Sequence, residues 1–384
     1  MRSFSFTATV AISVACAGCG ACADPNAPGG TPTQIVAREL RGCGTLGFVT
    51  GDGRAQIAEI PSLGGKQVFI EDINDDGVAV GGETNSDGDM HAIRFTDLGG
   101  VQDLGAQSGF GAQSYASAIA ADGAIGGHAD RADGTSVFFG HRYTAKGGRT
   151  EICTSSCSVW DLNARGQVVG LLPGRDPTAW QAFFYTPGAG LQTLGTLGGA
   201  RSSASAISEA GVVVGNAQLA GAAPGDLGHA FIYDSRDANP HLRDMNAVFD
   251  AQGWILQAAN DINESFIVGY GLRGATKRAF RVDVASGKVL DLGTIPGGGN
   301  SFGWGVDVYG DVVGWAEDAT DHNNAFVYST ALGMRRLTDL VDPAAGWQLV
   351  QANAVNAHGM IVGWGYHNGA PRGFKLALPI CVAR

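Results

Sequence analysis

Apolar and polar positions along this chain come in short runs that never settle into a helical period. Residues 203–246 show the pattern. Ser203 to Ser208 alternates small and apolar residues, Glu209-Ala210-Gly211 is a turn, and Val212-Val213-Val214 is a β-branched run. A polar loop reaches Gly228, His229-Ala230-Phe231-Ile232-Tyr233 follows, and Leu242 to Met245 closes the unit. Short apolar-patterned runs divided by Gly-containing turns predict antiparallel strands. With no 3.6-residue apolar period, helices are expected to be scarce.

The unit recurs. An apolar residue, often Asn, two variable residues, Gly, and a β-branched run ending in Gly make one motif. Its best copies are Ile73-Asn74-Asp75-Asp76-Gly77 with Val80-Gly81, Leu162 to Gly166 with Val168-Val169-Gly170, and Val355 to Gly359 with Ile361-Val362-Gly363. Weaker copies start at Ile119, Ile207, Ile262 and Val306, and the seven anchors are 46, 43, 45, 55, 44 and 49 residues apart. A second motif follows each anchor, centred on Ile93, Phe138, Phe183, Phe231, Phe280, Phe326 and Phe374. Four strands in each of seven such units match the period of a propeller blade, whereas the coils of a parallel β-helix are shorter.

The ends sharpen this reading. The seventh unit has three strands, to Phe374-Lys375-Leu376, and no clear fourth. The missing strand stands at the start, where Gln56 to Ile60 precedes Leu63-Gly64-Gly65 as Leu191 to Leu194 precedes Leu197-Gly198-Gly199. An amino-terminal strand completing the last blade closes a ring and hides its edges. The expectation is an all-β, seven-bladed β-propeller of four-stranded antiparallel blades, spanning 43–384 as one domain, with 43–50 as an accessory strand.

Composition agrees with a turn-rich β protein. Glycine is 60 of 384 residues, twice the usual share of about 7%. The net charge is −11 without a basic tail, which disfavours nucleic acid and anionic membrane as partners. The first residues carry an address instead. An uncharged apolar run from Phe4 to Gly18, with Ala21-Cys22-Ala23 before Asp24, fits a secretory signal over 1–23. The run is too short to span a bilayer. The alternative is a lipoprotein signal acylated at Cys16, Cys19 or Cys22, anchoring the protein at the cell envelope. Residues 24–42 read as a flexible leader, and the chain is expected outside the cell or in the periplasm, as a monomer. Cleavage after Ala23 leaves Cys43, Cys153, Cys157 and Cys381, an even number that suggests disulfides Cys153–Cys157 and Cys43–Cys381.

At His229-Ala230-Phe231, together with segments such as Leu194-Gly195-Thr196-Leu197-Gly198-Gly199, the chain resembles the HAF family of extracellular repeat proteins. Gly253-Trp254-Ile255-Leu256 before Asp261-Ile262-Asn263, and Gly346-Trp347-Gln348-Leu349 before Val355-Asn356, carry the likeness across the mature chain. The resemblance implies an extracellular repeat protein; it is uninformative about activity, because the family has no defined catalytic residues to carry over. WD and kelch repeats match less well, because Trp160-Asp161 occurs once and out of register.

Candidate chemistry is sparse. Asp72 to Gly77 followed by Glu83 satisfies a calcium-loop pattern. The repeat's turn already explains Gly77, and the strand after it carries Glu83 away from Asp72, so a solvated hairpin is expected and no metal or cofactor. Glu71, Asp161, Asp261 and Asp307 sit on innermost strands and could approach the axis. His91, His229 and His322 precede third strands, where imidazoles can fix a hairpin. Tyr270, Trp315 and Trp364 end second strands, and with Trp304 and His322 they form the candidate binding face, suited to sugar or peptide. Packing between blades is the competing role for each Trp. The function expected is therefore a binding or interaction module for an extracellular glycan or protein. A propeller hydrolase or lyase acting on polysaccharide is the runner-up, and an envelope scaffold without small ligand is the third reading.

Overall fold

The computed structural model describes residues 54–378 except 106–109, 132–138, 146–147, 154–155, 174–178, 224 and 331. The residues read as a signal and a leader, the 43–50 segment, Cys43 and Cys381 lie outside the described residues. Seven four-stranded antiparallel sheets follow one another along the chain, each in the order first, second, third, fourth strand. The first strands are Val68–Ile73, Phe110–Ile119, Ser158–Leu162, Gly198–Ile207, Ile255–Ile262, Ser301–Val306 and Trp347–Val355. They belong to blades one to seven in that order, and together they surround the axis.

Blade seven takes its outer strand from the other end of the chain. Gln56–Glu59 pairs with Ala370–Ala377, from Gln56 against Ala377 to Glu59 against Phe374. The Ile60 N–H continues the ladder to the Gly373 carbonyl at 2.9 Å. Among the described residues helix is confined to single turns, Met245–Val248 and two short 3-10 segments. In blade four the outer strand shrinks to Arg243–Asp244, where Asp244 caps that helical turn through the Asn246 N–H. Among the described residues no helix is long and apolar enough to cross a membrane.

The core lies in the seams between sheets. Seven apolar clusters occupy seven seams; the one between blades four and five joins Val214, Ile232 and Met245 to Leu256, Ile267 and Phe280. The recurrent third-strand Phe is fully buried at 183, 231, 280, 326 and 374, worth about 1.5–3 kcal/mol apiece by area burial. In blade two the residue in this register is His141, opposite Gly127, rather than Phe138. Phe138 itself lies outside the described residues. The disulfide Cys153–Cys157 is formed, with Cα atoms 6.4 Å apart, and both sulfurs pack in the seam between blades two and three.

The polar letters of the repeat also bridge seams. Asn356 donates through Nδ2 to the Asn74 carbonyl at 2.9 Å, linking blade seven to blade one. Asn163 reaches Ser208 at 3.0 Å and Asn263 reaches Asp307 at 2.9 Å in the same way. Each of these Asn side chains also accepts a backbone N–H of its own turn. One residue type thus closes the hairpin and ties it to its neighbour.

Every first strand carries a β-bulge at the same place. The breaks in pairing leave Glu71, Ser117, Trp160, Ser205, Asn260, Trp304 and Asn353 without a cross-strand partner. A bulge re-aims its extra residue, and here it turns one side chain per blade toward the axis. The glycine ending each β-branched run is the counterpart of that bulge. A Cβ on Gly314 would lie 2.0 Å from the Phe302 carbonyl oxygen, and one on Gly215 would lie 2.0 Å from that of Ser203. No side chain fits there, so the repeat keeps Gly and the Phe of the third strand covers it.

Candidate functional site

The seven bulges open onto an axial cavity of about 520 Å³, lined only by first-strand residues. Two tryptophans give it its apolar surface. Trp160 and Trp304 retain 40% and 38% of their surface exposed, enough ring for a ligand to cover. They come from blades three and six, so they stand on opposite sides of the ring. His128 supports the Trp160 side, its ring 6.2 Å from the indole edge-on and 5.9 Å from the stacked Tyr115. Burial lowers the His128 pKa to about 4, which keeps this prop neutral.

Between the indoles runs a polar arc. Gln351 donates to Asn353 at 2.7 Å, Asn353 donates to Glu71 at 3.1 Å and to the Ile70 carbonyl at 2.8 Å, and the Tyr115 hydroxyl donates to Glu71. Four side chains from blades seven, one and two are thereby fixed in one chain of hydrogen bonds. Desolvation raises the Glu71 pKa, partly offset by the Tyr115 hydrogen bond, and burial also raises that of Tyr115. On the far wall Asn260 is held by the Gly303 carbonyl at 2.8 Å.

Three aspartates, each one residue after a bulge, act as staples. Asp72 accepts from Ile73 N–H and from Ile119 N–H of blade two, both at 2.7 Å. Asp161 does the same with Leu162 and Ile207, both at 2.7 Å, and Asp261 with Ile262 at 2.7 Å and Val306 at 2.8 Å. The seams stapled are one–two, three–four and five–six. Their only open surface faces the cavity, so desolvation raises all three pKa values against these backbone donors. Repulsion from Asp72 adds to the rise at Asp161 and Asp261, and Asp261 is brought to about 6.

Of the residues expected to bind, only Trp304 reaches this cavity. Tyr270 and Trp315 close on Phe302, with ring centres 4.8 and 4.1 Å away. Trp364 meets Phe69 edge-on at 5.6 Å and Tyr366 at 6.0 Å. These rings are half-buried and fall into two separate seams, five–six and seven–one. His322 is exposed and its Nδ1 lies 2.7 Å from the Thr320 hydroxyl, in a turn organised by Asp318. Glu71, Asp161 and Asp261 do approach the axis; Asp307 instead closes its own turn through Tyr309 and Asp311 N–H. His91 and His229 pair with Asp103 at 2.9 Å and Asp244 at 2.7 Å, tying third strands to fourth.

The calcium-loop residues diverge. Asp72 is a staple, while Glu83 is buried and accepts from Ser62 Oγ and the Leu63 and Gly65 N–H groups. Among the described residues no group of three or more His, Cys, Asp or Glu is arranged to hold a metal ion. Tyr115, Trp160, Asn260 and Asn353 escape residue-by-residue inspection. Three of them share a signal, standing two positions before the anchor of their repeat.

The fold and the cavity define a seven-bladed propeller with an axial site built from one bulge per blade. No protein-family model and no curated protein matches the sequence. Among solved structures, the chain is similar to an oligogalacturonate lyase in complex with manganese (12% identity, 88% of this chain and 96% of that one, TM-score 0.53). It is also similar to an oligogalacturonate lyase from Vibrio parahaemolyticus (10%, 88% and 97%, TM-score 0.55). An uncomplexed acylaminoacyl peptidase from Pyrococcus horikoshii matches at 10% identity over 81% of this chain and 51% of that one, with a TM-score of 0.51. At such identities the likeness establishes the fold alone.

Proposed function

We propose that the protein is an exported binding module that takes a glycan unit in the axial cavity. The observation that carries this reading is the pair Trp160 and Trp304, half-exposed on opposite sides of a cavity whose other lining residues, apart from three alanines, are polar. Aromatic faces stack on the apolar faces of sugar rings, and fixed amide and carboxyl groups hydrogen-bond the hydroxyls. The binding face thus moves from the tips of the second strands to the axis. Tyr270, Trp315 and Trp364 serve as seam packing beside it.

The test is a glycan and peptide array with the protein and its Trp160→Ala and Trp304→Ala variants. Each substitution should weaken glycan binding by roughly 1–3 kcal/mol, as for a lost aromatic anchor. The melting temperature should hold, because both rings are exposed. Peptide binding alone, or glycan binding indifferent to both changes, overturns the reading.

A hydrolase or lyase acting on polysaccharide is the second reading, and Glu71 favours it. A carboxyl with a raised pKa, hydrogen-bonded to Tyr115 at the cavity wall, has the character of a general acid. The other axial carboxyls, Asp72, Asp161 and Asp261, are committed to backbone N–H groups. A two-carboxylate hydrolysis would have to release one of them. Cleavage of a glycan identified on the array, lost in Glu71→Gln, would select this reading.

A further inference from the structure

Charge at the axis is one-sided. Glu71, Asp72, Asp161 and Asp261 all face the cavity, and among the described residues no Lys, Arg or His lines it. A uronate or a sugar phosphate entering it would meet carboxyls without a single cation to pair with, and like-charge juxtaposition of this kind strongly disfavours a partner. A cation would meet the opposite situation. The two indoles offer ring faces that attract ammonium groups. Glu71 lines the cavity and is held in place by Tyr115 at Oε1 and Asn353 at Oε2, and a carboxylate oxygen has a second lone pair with which to accept from a ligand.

Resting on the glycan reading above, we infer that the axial cavity selects amino sugars bearing a free, protonated amine, with the ammonium group at Glu71 and the sugar face against Trp160 or Trp304. Asp72, Asp161 and Asp261 share the cavity wall with Glu71; a cationic ligand offsets that concentration of acidic groups and an anionic one adds to it.

Isothermal titration with three trisaccharides tests this: β-1,4-linked glucosamine, its fully N-acetylated counterpart, and trigalacturonate. The free-amine trisaccharide should bind at least tenfold more tightly than the acetylated one, and trigalacturonate should give no measurable heat. Raising the salt from 50 to 500 mM should weaken only the free-amine ligand. Glu71→Gln, which keeps the shape and can accept from Asn353 while donating to the Tyr115 oxygen, should remove most of the preference for the free amine, weakening the free-amine ligand far more than the acetylated one. Equal affinity for the two glucosamine forms, or preference for trigalacturonate, overturns the charge selection while leaving a glycan site in place. Failure of all three to bind overturns both.

Discussion

Asp261 holds two blades together with one carboxylate while Asp72 repels its charge. With its pKa raised from the usual 3.8 to about 6, its contribution to stability is fully present below the unfolded value. It is lost as pH rises through the folded one. Moving a carboxyl over that interval corresponds to roughly 3 kcal/mol. Asp261→Asn removes the charge and keeps one of the two N–H bonds through its single amide oxygen, at a cost that does not depend on pH. The stability of this variant relative to wild type should therefore improve by up to that amount between pH 3.5 and pH 7, read by urea denaturation at both ends. A difference that stays constant across the interval would contradict the role assigned to the carboxyl. At this scale the sequence is only partly informative. That Glu71, Asp161 and Asp261 could approach the axis follows from their place on first strands. That the aspartates bind neighbouring backbone while Glu71 stays available depends on a one-residue offset around the bulge, and no composition or spacing rule supplies it.

A first strand with its bulge and the glycine facing it form one device. Trp304 has no cross-strand partner because Gly303 pairs with Gly314 and Gly305 with Val313. The carbonyl oxygen of Phe302 then occupies the space a side chain at 314 would need. Gly314→Ala should cost about 1–3 kcal/mol as an overpacking change. It should also shift Trp304 and reduce glycan affinity, whereas Trp304→Ala should affect affinity alone. Denaturation midpoints beside titrations of the two variants separate these effects, and a Gly314→Ala protein with wild-type stability would show that the strand flattens without strain. Here the sequence marks the device without explaining it. The Gly that ends each valine run is plain in the repeat at Gly81, Gly170 and Gly363, and the Asn of the turn is equally plain. Both look like turn or strand punctuation until the register shows what each one meets.

The molecule as a whole was the most legible level. Seven anchors at similar spacing, a last unit of three strands, and a spare strand at Gln56 to Ile60 are enough to draw the ring and its closure. The cavity was not legible in the same way. Its walls come from seven separate strands spread from Glu71 to Ala354, and aromatic residues that looked clustered by phase divide between two seams. Ring closure can be weighed directly. Ile60 is fully buried in the seam between blades seven and one, packed with Val68, Ile70 and Val362. Ile60→Ala should lower stability by about 2–5 kcal/mol, the range for a buried Leu or Ile truncation. A loss under 1 kcal/mol, measured by denaturant melting, would mean that the closing strand contributes little to this seam. The direction of that closure has a mechanical side. Gln56 pairs with Ala377, so the free ends of the two closing strands lie side by side at the same end of the ladder. A load pulling those ends apart acts on one rung at a time, peeling the strand like a zipper instead of shearing all its bonds at once. The closure is therefore weak to tension between its ends, and a tether is best borne by one end alone.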